Sequence, residues 1–295
     1  MTFNDVEKAR EAYHQKTKTG WVIISCAVAL AILISFIIGI PFLVVFFAFF
    51  IFVVGVIVLS FASKKEAKNY RQAYKAYFVA ANLQKVFQNL TYDHQKGISK
   101  SFINSTGMIN TGDRFSSNDL TFATYKNTKF AQADTTIQVE HTDSDGNTTY
   151  ETIFKGRFMV FEFPKKFNFK LELIGKHFHD YKIPGKDPKT GRKMQKVQTE
   201  SVDFNRKFKI FGADGFETYY ILDPAIMVRI EQISDRFKNK ILLGFTDNSL
   251  LVALNDGTDS FEPPRAGRPI NEAAEHQKIL NDIRIITDFV DIISR

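Results

Sequence analysis

TGWVIISCAVALAILISFIIGIPFLVVFFAFFIFVVGVIVLSFAS, residues 19–63, contains no charged side chain. As one helix this run would be about 67 Å long at ~1.5 Å per residue, roughly twice the ~30 Å hydrocarbon core of a bilayer. One straight span does not fit. Gly39-Ile40-Pro41 supplies a break near the middle, because Gly frees the backbone and Pro suits the first turn of a new helix. Two arms result, over 20–38 and 42–61, each close to the ~20 residues a span needs. Trp21 stands at the outer edge of the first arm, where an indole favours the interface.

The flanks set an orientation. Lys8, Arg10, Lys16 and Lys18 precede the first arm, and Lys64, Lys65, Lys68, Arg71 and Lys75 follow the second. Basic residues stay on the cytoplasmic side, so both ends are expected there, with only the Gly-Ile-Pro turn on the far side. A re-entrant pair that dips in without crossing is the competing geometry, because that turn has no polar residue to hold it outside. The polar leader is too mixed in charge, and the apolar run too long, for a cleaved signal peptide.

Beyond the apolar block the chain of 295 residues reads as ordinary globular protein, and the mean hydropathy of -0.15 averages over the two. The 30 Phe residues lie mostly outside the block, enough for an aromatic core. The net charge of +7 is concentrated in 64–209, whereas the chain from Ile210 onward carries more Asp and Glu than Lys and Arg. Beside an apolar anchor this balance favours anionic lipid headgroups over nucleic acid. The single cysteine, Cys26, lies in the apolar block, which excludes an intramolecular disulfide, a multi-cysteine zinc site and an exposed cysteine nucleophile.

The soluble part reads as α+β, mostly antiparallel, with helices at either end. Residues 62–90 read as a stalk helix, with Tyr70, Tyr74, Tyr77, Ala81, Phe87 and Leu90 near helical spacing. Residues 125–130 and 135–141 have strand character, and 150–163 is rich in β-formers. Between the last two, Asp143-Ser144-Asp145-Gly146-Asn147 predicts a hairpin turn. A calcium loop is the other reading, but Thr148 stands where its Gly belongs and Phe154 where its bidentate Glu belongs. Phe208-Lys209-Ile210-Phe211 reads as a strand, Asp214-Gly215 as a turn, and Asp223-Pro224 as the cap and first position of a helix reaching Phe237. Residues 240–245 and 250–255 read as a hairpin around Asp247-Asn248. In 271–294, Ile279, Ile283, Ile286, Val290 and Ile293 form a narrow stripe for core packing or for another subunit. The expected organisation is a leader at 1–19, a transmembrane hairpin at 20–61, a stalk helix at 62–96 and a soluble domain at 97–295.

Residues 176–196 form a basic, Pro/Gly-containing stretch expected as an exposed loop. Lys182, Lys186, Lys189, Arg192, Lys193 and Lys196 are its candidate contacts to anionic lipid, each contributing ~1 kcal/mol near a charged surface and less at higher salt. His177 and His179 fall on one side of an extended segment, but no third metal ligand is indicated. No phosphate loop, dinucleotide fingerprint, nucleophile elbow or HExxH motif occurs. Glu162 and Glu172 are the one conceivable carboxylate pair across a hairpin, although alternation on a half-solvated strand explains Glu162. Asp203, Asp214 and Glu217 read as turn and strand-edge residues. No catalytic, cofactor or metal residue is therefore expected, and the positive case for an enzyme is absent.

The run Phe154-Lys155-Gly156-Arg157-Phe158-Met159-Val160-Phe161-Glu162-Phe163-Pro164-Lys165-Lys166-Phe167 is similar to the core of a bacterial domain-of-unknown-function family, number thirty-one thirty-seven. So are residues 125–134, Tyr219-Tyr220-Ile221-Leu222-Asp223-Pro224 and Phe245-Thr246-Asp247-Asn248. The resemblance extends over most of 62–292 and implies a bacterial inner-membrane protein with two N-terminal spans and no established activity. It supplies no catalytic residues. The expected function is a non-catalytic scaffold, adaptor or sensor facing the cytoplasm, with a protein partner or a second copy of itself. The alternative is a protein that binds anionic lipid or a small ligand in a cavity of the Phe-rich sheet.

Overall fold

The computed structural model describes the backbone of residues 1–38, 41–213 and 215–293, with side chains outside 35–45, 163–165, 214–217 and 293–295. Gly39 and Ile40 of the expected break, and Asp214 of the expected turn, lie outside the described residues. The chain forms two compact units, Met1–Ala81 with Glu262–Lys278, and Asn82–Phe261 with Ile279–Arg295.

In the first unit α1 (Phe3–Ile38) joins the charged leader and the apolar arm in one helix of 36 residues, about 54 Å long at ~1.5 Å per residue. It is long and apolar enough to cross a membrane. α2 (Pro41–Ala62) follows, then α3 (Lys64–Tyr74) and a π-helical turn, Lys75–Ala80. The helices over Phe46–Ala62 and Lys64–Val86 meet at a bend of 43° and are long and apolar enough only when taken together. Gly20 abuts Leu59, and Gly55 abuts Ile24 at 2.8 Å from where a Cβ would stand, so small residues let α1 and α2 approach closely. Trp21, Leu30, Leu33, Phe49 and Phe61 remain exposed on these helices, a surface suited to lipid and not to water.

The leader is tied down by polar contacts. The Arg10 guanidinium, 4% exposed, pairs with Glu7 at 2.8 Å and donates to the Ala266 carbonyl at 2.7 Å. Tyr70 donates to the Pro264 carbonyl, Tyr74 to Glu275, and Lys75 pairs with Glu262 at 2.8 Å. The tyrosine stripe of 62–90 is therefore packed within this unit, against 262–275 and the Phe3 ring. The helix ends earlier than its spacing suggests: α4 (Ala81–Val86) closes it, and β1 (Gln88–Asp93) begins two residues later, with Leu90 on a strand.

The second unit is built on a seven-stranded antiparallel sheet in the order β1-β2-β3-β4-β6-β5, with β7 also paired to β4. Its strands after β1 are β2 (Arg114–Tyr125), β3 (Thr128–Thr142), β4 (Thr148–Gly175), β5 (Gln195–Val197), β6 (Phe208–Gly212) and β7 (Ile241–Leu254). β4, with 28 residues, is the spine: β3 pairs with its first half, β6 with its end, and β7 along most of its other side.

The Asp143–Asn147 turn forms as expected. The Asp143 carboxylate accepts from the Asp145 and Asn147 amides, and Gly146 has φ +82°, so that carboxylate closes a turn. Residues 125–130 are not one strand. Lys126 and Asn127 both have positive φ and form the β2–β3 turn, so Tyr125 ends one strand and Thr128 begins the next. The expected hairpin at Asp247-Asn248 is likewise corrected: β7 runs straight through on β4, and Asp247 (φ +50°) absorbs an irregularity in register as an Asp can. Asp223 caps α8 (Pro224–Arg236), accepting from the Ile226 amide at 2.8 Å. α6 (Val202–Lys207), α7 (Gly215–Ile221) and α9 (Glu272–Ile293) complete the set.

The two sheet faces are covered differently. On one, Phe130, Phe161 and Phe289 form a buried row, closed by Ile283, Ile286 and Val290 of α9. Each such ring contributes ~1.5–3 kcal/mol by its burial. On the other, Ile98, Ile103, Met108 and Ile109 from the segment after β1 pack on Ala133, Ile137, Phe154 and Phe158.

Candidate functional site

The segment covering the second face is short, and the site lies where it stops. Gly97 lies so close to Ser117 that a Cβ would fall 2.3 Å from its backbone. The Ile98 amide then donates to the Ser117 hydroxyl, which seats the segment on β2. Ser99 caps α5 (Lys100–Thr106), accepting from the Phe102 amide, and Gly107 at φ +68° ends it. With only seven residues, α5 spans about 10 Å at ~1.5 Å per residue and leaves part of the sheet bare.

The bare strip is apolar. Phe122, Ala131 and Val160 are cross-strand neighbours on β2, β3 and β4, and the small Ala131 side chain leaves a trough between the larger two. Phe102 on α5 forms one wall, and both Phe102 and Phe122 are more than 40% exposed. The resulting groove has a volume of about 680 Å³ and is also lined by Ile98 and Leu120. Its charged rim is Lys129 and Glu162, 3.7 Å apart and both solvated. Its size is that of a small-molecule site, ~300–1,000 Å³, but among the described residues it presents one surface ion pair and no buried acid, base or nucleophile. Such a groove can hold an aliphatic chain and contact a polar end at its rim. Composition suggested a Phe-rich cavity, but the particular strip was hidden, because it depends on how far α5 reaches.

The basic segment contacts the other end of the same helix. The Lys182 amine donates to Asn104 Oδ1 at 2.7 Å, and its amide to the Met108 carbonyl. From Gly185 the chain forms a tight hairpin, with Lys186 bridged to Lys193. Asp187 pins it. This fully buried carboxylate accepts from the Lys170 amide at 3.0 Å and the Lys189 amide at 2.8 Å. The stretch expected as an exposed loop is exposed, but it is built around a buried carboxylate. Lys186, Lys189, Arg192, Lys193 and Lys196 are exposed and Lys182 is half-buried, while Lys189 also pairs with Asp247. His177 sits in a turn and His179 in the irregular chain after it, so neither lies on an extended strand.

The conceivable carboxylate pair is not brought together. Glu162 stands at the groove rim, opposite Ser249, whereas Glu172 pairs in register with Gly244 and Phe211. Glu172 is fully buried, and its partner is Lys170 Nζ at 2.6 Å, which also donates to the Thr106 carbonyl. Burial raises the Glu172 pKa despite that ammonium. Asp203 pairs with Arg206 on α6, and the side chains of Asp214 and Glu217 lie outside the described residues.

Two buried charges went unread in the sequence. Arg157, 1% exposed, donates from its guanidinium to the Asp282 carbonyl at 2.9 Å and carboxylate at 2.5 Å, joining β4 to α9. Gly156 beside it has φ +153°, and a Cβ there would lie 2.0 Å from the Leu254 carbonyl oxygen, so the Gly-Arg pair is structural. Asp134 is pushed up to about 8 by burial, against the pull of Arg157 and with Asp259 and Asp119 adding to the rise. Its Oδ2 accepts from the Ser260 amide at 3.0 Å. The signal available in the sequence was a charge flanked by small and apolar residues, as in Gly156-Arg157-Phe158 and Ala133-Asp134.

A family model described as protein of unknown function (DUF3137) matches residues 152–295, the part of the chain from β4 to its end. The resemblance thus rests on that part, and 125–134 and the two apolar arms lie outside the match. No curated protein matches the chain. Among solved structures, the mycobacterial trehalose monomycolate transport factor A, TtfA, is similar over 76% of this chain and 97% of its own, with 8% identity and a TM-score of 0.40.

Proposed function

We propose that this chain is a membrane-held, non-catalytic binding module whose sheet groove takes the aliphatic chain of an amphipathic ligand. The groove carries the reading: an apolar trough of about 680 Å³ with exposed Phe102 and Phe122 and a single charged pair at its rim. Exposed aromatic surface in a concave site favours an apolar ligand over solvent. The apolar helix of the same chain supplies the source, since a protein anchored in a bilayer meets acyl chains at high local concentration. This moves the weight from a scaffold or adaptor to a ligand-binding protein.

In this reading, 20–61 is a two-span hairpin in a bacterial inner membrane, 1–19 and the rest of the chain face the cytoplasm, and 62–96 leads from the anchor to the domain at 97–295. The close approach of α1 and α2 at Gly20 and Gly55 supports the pair of spans. The hairpin at 185–194, with Lys182 and Lys196 flanking it, is the contact to anionic headgroups. The Asp187 pin supports it, because a preorganised basic tip loses little conformational entropy on contact. A cysteine placed at Ile40 in a Cys26→Ser background tests the topology: labelling from outside the cell supports two spans, and access from the cytoplasm alone contradicts them.

For the groove, the test is retention of a fluorescent fatty-acid probe by the full chain in phosphatidylcholine nanodiscs. Phe122→Glu is expected to weaken retention by about tenfold or more, as burying a carboxylate in an apolar trough costs at least ~1.4 kcal/mol. Unchanged retention contradicts the reading.

A further inference from the structure

We propose that the cleft between α8 and α9 is a binding site for a phosphomonoester, independent of the apolar groove. Arg229 and Arg236 stand seven residues apart on α8, and Arg284, Asp288 and Asp291 recur at four and three residues on α9, so each set shares one helix face. Lys126 enters from the β2–β3 turn, where positive φ at both Lys126 and Asn127 makes a tight reversal. Together they line a cavity of about 710 Å³. Ile233 and Ile292, each about 5% exposed or less, form apolar walls, and a low-dielectric wall concentrates the field of the charges above it.

The charge arrangement selects the ligand. Asp291 accepts from Lys126 Nζ at 2.8 Å, and Asp288 from Arg236 at 2.6 Å. Arg229 donates to the Asp291 carbonyl at 2.5 Å, which holds its guanidinium at the C-terminal turn of α9. Arg284 is exposed on the same cleft and has no ion-pair partner among the described residues. Four cations against two carboxylates leave two positive charges in the cleft. A phosphomonoester carries about −1.5 to −2 at neutral pH and offers three acceptor oxygens for guanidinium forks. A phosphodiester or carboxylate, with one charge, leaves the cleft half compensated. The same chemistry can come from a soluble phosphomonoester or from a phosphatidic-acid headgroup.

The test is calorimetric titration of glycerol 3-phosphate into the full chain in phosphatidylcholine nanodiscs, with glycerophosphocholine as the diester control. Saturable binding at about 1 mM or tighter, with the diester at least about tenfold weaker, is expected. Arg284→Gln is an exposed substitution that leaves the fold intact, and it should weaken binding about tenfold by removing one charge-assisted contact. Lys186→Gln, on the distant basic hairpin, should leave it unchanged. Adding phosphatidic acid to the nanodiscs assigns the source: competition with the soluble probe supports a headgroup ligand, and undiminished binding supports a soluble one. Absence of saturable binding below about 10 mM, equal affinity for the diester, or an Arg284→Gln protein that binds normally overturns the proposal.

Discussion

One face of the sheet is closed and the other is open, although both are rich in phenylalanine. On the α9 face Phe130, Phe161 and Phe289 are 3% exposed or less, and Arg157 fastens the helix to β4 through Asp282. On the α5 face, a helix of seven residues buries its own Ile103 on the sheet but leaves its Phe102, and Phe122 of β2, in solvent. The difference is one of helix length, since α9 runs for 22 residues. Identical side chains thus serve stability on one face and remain free for a ligand on the other.

The sharpest way to break this comparison is to truncate one ring on each face. Phe161→Ala should cost about 3–5 kcal/mol of stability in denaturant unfolding. Phe122→Ala, already half exposed, should cost less than about 1 kcal/mol while weakening probe retention in the groove. Similar losses in stability at both positions would erase the distinction. Arg157→Ala should cost about 3–5 kcal/mol in the same measurement, as it strips a buried charge network of its cation. A loss below about 1 kcal/mol would mean that α9 is held by its isoleucines alone.

A separate effect concerns pH. The Asp134 pKa lies near 8 in the folded protein, against 3.8 for the ordinary carboxyl. Between those values the folded state holds a proton that the unfolded chain releases, so stability falls as pH rises from about 4 toward 8. Asp134→Asn keeps an acceptor for the Ser260 amide and should flatten that fall, raising the melting temperature most at the alkaline end. An unchanged slope of stability against pH would place the effect elsewhere. The smallest expected effect is at the basic hairpin. In nanodiscs containing phosphatidylglycerol, hydrogen exchange over 182–196 should slow relative to phosphatidylcholine, and the difference should fade with salt, at ~1 kcal/mol per basic residue. Exchange that ignores lipid charge would remove the headgroup contact.

Elements with a local chemical cause were legible in the sequence. Asp223-Pro224 opens α8, Asp143-Ser144-Asp145-Gly146-Asn147 closes a hairpin, and the stripe from Ile279 to Val290 packs α9. Elements decided by tertiary context were not. Lys126-Asn127 makes a turn without the usual glycine, and Asp247-Asn248 looks like a turn but absorbs a shift in register between β7 and β4. The basic segment was legible as a patch of charge, but not as a hairpin pinned by Asp187. The groove was the least legible feature, because Phe122 and Phe161 occupy similar strand positions and only the covering helices tell them apart.

The central claim is that the α5 face is left open for an aliphatic chain. Photocrosslinking of a diazirine-bearing fatty acid to the full chain in nanodiscs, mapped by peptide mass spectrometry, tests it most directly. Crosslinks in 97–102 and 120–124 that disappear in Phe122→Glu are the predicted result; crosslinks confined to α1 and α2, unchanged by that substitution, would contradict it.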